Sequence, residues 1–257
     1  MSAWSNIKTV MKRELGGYFN SPVAYVFIVI FLLMMGIFTF MFGFFFERQQ
    51  ASLKDSFFFW HPWLYLFLVP AVAMRLWSEE RRQGTLELLL TMPITGWQAI
   101  VGKFLASWIF LALALALTFP IVITVNWLGD PDNGAIFCGY LGSLLLAGAY
   151  LAIGCLTSAM TRNQVISFIV SLVLCFALIA LGWDRVTDGL GKFLEVVVGE
   201  RFAGTLIQVM SSSSVLPHFD GFQRGVLDLR DFLFFGSIIG FALFCTGVVL
   251  RNLRSGH

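Results

Sequence analysis

The chain has 257 residues, 58% of them hydrophobic and only 12% charged, with a mean hydropathy of +0.82. Soluble domains carry about 25% charged residues, so a fully water-facing surface is excluded and lipid is the expected solvent for most of the chain. The net charge is +2; no nucleic-acid partner is expected, and the information lies in where the charges fall.

In chain order, residues 1–22 read as an amphipathic interfacial helix. Trp4, Ile7, Val10, Met11 and Leu15 recur at helical spacing among Lys8, Lys12 and Arg13. These charges, with no short apolar core behind them, argue against a signal peptide. Ser21-Pro22 is a helix start signal. Six apolar stretches are expected to span the membrane: residues 23–46, 56–74, 103–127, 135–158, 165–183 and 232–250. Residues 75–102 form a polar segment between the second and third. Residues 184–231 form a long mixed segment between the fifth and sixth, where Glu195, Glu200 and Arg201 argue against a seventh span. Ser211 to Ser214 and Pro217 read as a break within it. The fold class expected is an all-α membrane protein, organised as a single transmembrane domain.

Basic residues beside the spans orient the chain. With both termini inside, Lys8, Lys12, Arg13, Arg75, Arg81, Arg82, Lys103, Arg162, Arg251 and Arg254 lie on the cytoplasmic side. Outside, only Arg48 and Lys54 fall in a short loop. The expected location is a bacterial inner membrane.

No catalytic constellation is present in the sequence. The run Gly96 to Phe104 places five residues between its glycines and Phe after Lys103, so it fails as a nucleotide-binding loop. His61, His218 and His257 are isolated, and Met34, Met35 and Met41 read as packing rather than metal ligands. Cys138, Cys155, Cys175 and Cys245 lie in apolar runs without CxxC spacing and read as small hydrophobes. Gly139, Ser143 and Ala147 recur every four residues and mark a helix-packing face, within the bundle or across a dimer.

The most informative segment starts beyond the second span. Glu79, Glu80, Arg81 and Arg82 form a dense charge cluster. Gln83, Gly84, Thr85, Leu86, Glu87, Leu88, Leu89, Leu90, Thr91, Met92 and Pro93 then read as a short helix, with Thr85 as its N-cap and Pro93 as its stop. A short amphipathic helix of this kind suits docking into a partner's groove; an ordinary interfacial loop is the alternative.

The same residues resemble the E-x-x-x-G-T-x-E-x-L-L-x-x-P pattern of type-2 ABC export permeases: Glu80, Gly84, Thr85, Glu87, Leu89, Leu90 and Pro93, followed by Gly102-Lys103. The stretch from Ser214 to Asp231 resembles the branch that includes gliding-motility-associated permeases and the permease of the nitrous oxide reductase maturation system. The resemblance implies the type-2 exporter fold, with extracytoplasmic helices between spans five and six. It implies one half of a membrane dimer, completed by a second permease copy or a permease-like paralogous subunit. A separate cytoplasmic ABC ATPase dimer would bind ATP and magnesium, while this chain holds no cofactor and is not itself an enzyme. Residues 83–93 would be the coupling helix, and Thr161, Arg162, Asn163 and Gln164 a second cytoplasmic contact. The charges from Glu79 to Arg82 would hold the coupling helix to the N-terminal helix. Two alternatives stand beside the exporter. One is an ABC-type mechanotransmission complex acting on an extracytoplasmic partner without moving a solute. The other is a membrane-embedded enzyme or assembly factor.

Overall fold

The computed structural model describes residues 3–47, 52–85, 94–183, 186–189, 204, 208 and 210–255. Every regular element among them is helical. Helix α1 (Ala3–Phe19) leads into α2 (Pro22–Ile37), which continues through a wider π turn over Phe38–Phe42. A short turn, Phe58–Trp60, opens α3 (His61–Ala73), followed by α4 (Ser78–Gln83). Helices α5 (Gly96–Ala116) and α6 (Phe119–Leu128) form one long unit. Helices α7 (Asn133–Met160), α8 (Gln164–Ala180), α9 (Val215–Gln223) and α10 (Leu229–Ser255) complete the chain.

Helix α7 is the centre of the bundle because its small residues let neighbours approach closely. Gly139 faces the Phe58 ring, Gly142 faces Phe222, Gly148 faces Trp108 and Gly154 faces Ala73. Gly139, Ser143 and Ala147 all lie buried inside this chain, on that central helix. The outer helices α2 and α10 leave most of their apolar side chains exposed or only partly buried, as lipid contact allows.

Four units are long and apolar enough to cross a membrane: Pro22–Phe42, Gly96–Leu128, Asn133–Met160 and Leu229–Leu253. The chain is therefore a multi-pass membrane protein. The expected spans at 56–74 and 165–183 are shorter as helices. Thirteen and seventeen residues reach about 20 and 26 Å, against a hydrocarbon core of about 30 Å. In the first case Pro62 opens the helix late and the preceding residues coil as a 3₁₀ turn. The helix of the first expected span ends at Phe42, before residue 46, and Gly43 just beyond it lies against the Ser56 backbone, 2.6 Å from where its Cβ would be. The third expected span lies within a longer helical unit that begins at Gly96, seven residues ahead of residue 103. Thr95 and Gln98 form a reciprocal capping box there.

Both chain ends lie at one face of the bundle. Asn6 donates to Gln98 at 3.1 Å, and Gly247, near the C-terminal end, lies against the Trp97 ring. We call this the terminal face. Helix α1 runs beside the first turns of α5: Val10 fills the space left by Gly102, and the Tyr18 and Ser107 hydroxyls are 2.9 Å apart. Part of the apolar stripe of α1 is thus spent on protein, while Trp4 stays exposed.

At the far face, Ser214 caps α9 and donates to the Leu178 carbonyl of α8 at 2.9 Å. The expected break narrows to Ser213 and Ser214, since Ser211 and Ser212 are helical, and Pro217 lies in the first turn of α9, where a missing N–H leaves no helical bond unmade. His218 of α9 and Asp231 of α10 meet at 2.6 Å, and Lys54 bonds Asp220 at 3.1 Å. His61, the first residue of α3, is buried among Phe57, Phe58 and Tyr65.

Candidate functional site

Charged side chains gather at the terminal face around Lys103, about two turns inside α5. Its position follows from the capping box that starts α5 at Gly96 and from the Val10–Gly102 approach that brings α1 alongside. Lys103 is only 3% exposed. Its ammonium is 2.8 Å from Glu80 Oε1 of α4 and 3.6 Å from Glu14 Oε2 of α1, and it donates to the Leu76 carbonyl at 3.0 Å. It also stands 5.1 Å from the centre of the Trp77 ring, a cation–π distance. A buried cation requires such compensation, because an unpaired one is expensive. One side chain thereby joins α1, α4, α5 and the end of α3.

A second junction fastens α4 to the end of α7. Ser158 Oγ accepts from the backbone N–H groups of Trp77 and Ser78, both at 3.0 Å, and donates to the Met74 carbonyl at 2.9 Å. These bonds use the donors that the first turn of α4 leaves without helical partners. Trp77 Nε1 donates to Cys155 Sγ, and Arg81 donates to the Ala159 carbonyl at 2.6 Å. Burial and the nearby Arg162 hold the Arg81 pKa below its ordinary value.

The charge cluster thus divides its work. Glu80 faces Lys103, and Arg81 faces the end of α7. Glu79 accepts from Arg82 and Gln83 on the exposed side, at 2.8 and 2.7 Å. Glu80 reaches α1 through Lys103, which also pairs with Glu14. Gly84 ends α4 in the left-handed conformation, φ 70°, as helix-terminating glycines do. Thr85 donates to the Glu80 carbonyl at 3.5 Å. Leu86, Glu87, Leu88, Leu89, Leu90, Thr91, Met92 and Pro93 lie outside the described residues.

Next to α4, Thr161 to Gln164 turn the chain from α7 into α8. Thr161 accepts from the Asn163 N–H, and Asn163 caps α8 through Val165. Arg81 bonds the Ala159 carbonyl, two residues before Thr161, so the expected cluster is anchored beside the expected second contact. Among the described residues no group of three metal-ligating side chains occurs. Cys138, Cys155 and Cys175 are buried free thiols, and Cys245 is partly buried.

Sequence alone presents Lys103 as a cytoplasmic basic residue that follows the motif and gives no weight to Glu14, Trp77 and Ser158. Two of these positions carry a visible signal. Lys103 is the only charge between Glu87 and Asp130, and Glu14 is the only acidic residue before Glu47. A lone cation and a lone anion at the ends of apolar segments call for partners. Nothing local marks Ser158, whose role depends on where α4 packs.

Comparison with known proteins agrees with this architecture. Residues 8–237 match the family model described as ABC-2 family transporter protein. A stretch of 99 residues is 34% identical to a Pseudomonas aeruginosa protein described as a probable ABC transporter permease protein NosY. That stretch covers 37% of this chain and 35% of the relative's length. The family match extends from α1 into α10, across the Lys103 junction and the central helix α7 alike, and the chain belongs to the ABC-2 family of transporter proteins.

Proposed function

We propose that this chain is the permease subunit of an ABC exporter, driven by a separate ATPase that docks on residues 83–93. Family membership supports the permease role, and the observation that carries the coupling reading is the Lys103 junction. The segment entering the proposed docking helix is tied by one buried cation to α1 and α5, and by Ser158 to α7. A push on residues 83–93 would therefore reach three long helices through short, directional bonds.

In this reading the chain has six spans, with the two short helices α3 and α8 counted among them. The terminal face is cytoplasmic in a bacterial inner membrane, as the bias of basic residues toward short loops on that side supports. The complex contains an ABC ATPase dimer that holds ATP and magnesium, and a second permease copy or permease-like paralogue. The Thr161 to Gln164 turn is the second ATPase contact.

The test is co-purification of the chain with its ATPase, followed by ATPase assays in reconstituted vesicles. Leu89→Asp is expected to abolish association. Lys103→Met is expected to keep association but lower transport per ATP hydrolysed. Intact association in Leu89→Asp, or unchanged coupling in Lys103→Met, would reject the assignment.

A second reading is mechanotransmission to an extracytoplasmic partner. It draws on the way α9 is fixed to both α8 and α10, through Ser214 and through His218–Asp231, giving a firm far-face surface. Solute movement in vesicles by the permease–ATPase complex alone would decide against it.

A further inference from the structure

A cavity of about 430 Å³ lies between α1, α2, α3 and the start of α5. Its lining changes character with depth. Tyr18, Ser21 and Arg75 stand at the ends of α1 and α3 and the start of α2, at the terminal face. Phe27, Leu68 and Phe110 line it further in. Ile30, eight residues beyond Pro22, and Leu68, seven before Arg75, place the apolar part about 10–12 Å along their helices. Val23, Val26 and Ile30 line the cavity and are also exposed, so it opens along α2 toward the surroundings of the bundle. Apolar walls of this extent do not hold ordered water; in a bilayer, hydrocarbon enters such a space.

Charge at the mouth selects the headgroup. Lys103 lines the cavity but is satisfied by Glu80 and Glu14, and Glu14 is also bonded by Arg13 at 2.7 Å. Arg75 is exposed and forms no ion pair with any described residue. A guanidinium left open above an apolar shaft matches a phosphate attached to an acyl chain.

The geometry points to a binding site for one anionic phospholipid, with an acyl chain between α2 and α3 and the phosphate on Arg75. The bound lipid fills the space beside the Lys103 junction and so stiffens the contact between α1 and the bundle. The site requires only that the chain is embedded in a membrane; it does not depend on the ATPase assignment.

Native mass spectrometry of the full-length chain, titrated with phosphatidylglycerol and separately with phosphatidylcholine, tests it. One phosphatidylglycerol is expected to resist activation that strips other lipids. Arg75→Gln should weaken that binding about fivefold, the effect of one basic residue on an anionic lipid, with no change for phosphatidylcholine. Ala71→Phe, which fills the cavity from α3, should remove the resistant adduct. In the unmodified chain, phosphatidylglycerol with a photoreactive acyl chain should label residues 23–30 and 68–72 preferentially. Labelling spread equally over α2, α8 and α10, or an adduct unchanged in both variants, would overturn the site.

Discussion

Lys103 and Glu80 form a 2.8 Å ion pair in which the lysine is almost wholly shielded from solvent. The pair joins a long membrane helix to a six-residue helix at the terminal face. Its surroundings complete the compensation, with the Leu76 carbonyl and the Trp77 ring also on the ammonium.

Removing one member strands the other. Lys103→Met leaves Glu80 and Glu14 facing an apolar side chain and should cost about 3–5 kcal/mol. Replacing Lys103 by Met and Glu80 by Leu together should cost less than the sum of the two single changes. A double-mutant cycle in thermal or denaturant unfolding of the detergent-solubilised protein measures the difference; strict additivity would show that the pair does not interact.

Ser158→Ala removes the acceptor for two backbone N–H groups and the donor to Met74. Each buried group left unsatisfied costs about 1–3 kcal/mol. Because the loss falls on the start of α4, it should appear as local opening. Hydrogen exchange of residues 76–83 should accelerate well before global unfolding; unchanged exchange there would remove Ser158 from the junction.

Gly154 lies so close to Ala73 that an added Cβ would overlap the alanine methyl. Gly154→Ala should push α3 and α7 apart and destabilise by about 1–3 kcal/mol. Gly36, also helical, would have nothing within 4 Å of an added Cβ, and Gly36→Ala should be neutral or slightly stabilising. Comparing melting temperatures of the two variants separates packing from helix propensity.

Gly84 holds φ at 70°, and Gly84→Ala should cost about 1–2 kcal/mol. Gly84→Asn should be milder, since asparagine tolerates this region. If the turn sets the direction of residues 85–93, both variants should weaken partner association, Gly84→Ala more than Gly84→Asn, as read by pull-down of the proposed ATPase.

At the far face, Asp231→Ala removes the carboxylate from His218 Nδ1, while the ring keeps its Phe234 stacking and its Ser212 contact. A loss of about 1–3 kcal/mol is expected. Limited proteolysis between α8 and α10 should become faster, while the Lys103 junction at the opposite face stays intact.

Residue order alone establishes the solvent, the helical class and the place where polar chemistry concentrates. Long apolar runs and sparse charge leave a membrane bundle as the way to satisfy the backbone. The cluster from Glu79 to Arg82 and the glycine at residue 84 stand out in one dimension because charge and conformational punctuation are local properties. Packing in three dimensions settles the rest. The helix of the third span starts seven residues early because Thr95 and Gln98 cap each other, and the second span is short because Pro62 delays its helix. The small residues of α7 turn inward because α3, α5, α9 and α10 all need to approach it. Above all, Lys103 becomes the centre of the site only when α1, α4 and α5 meet around it. Glu14, Glu80 and Lys103 are far apart in sequence, and a buried charge finds its partners by folding rather than by spacing.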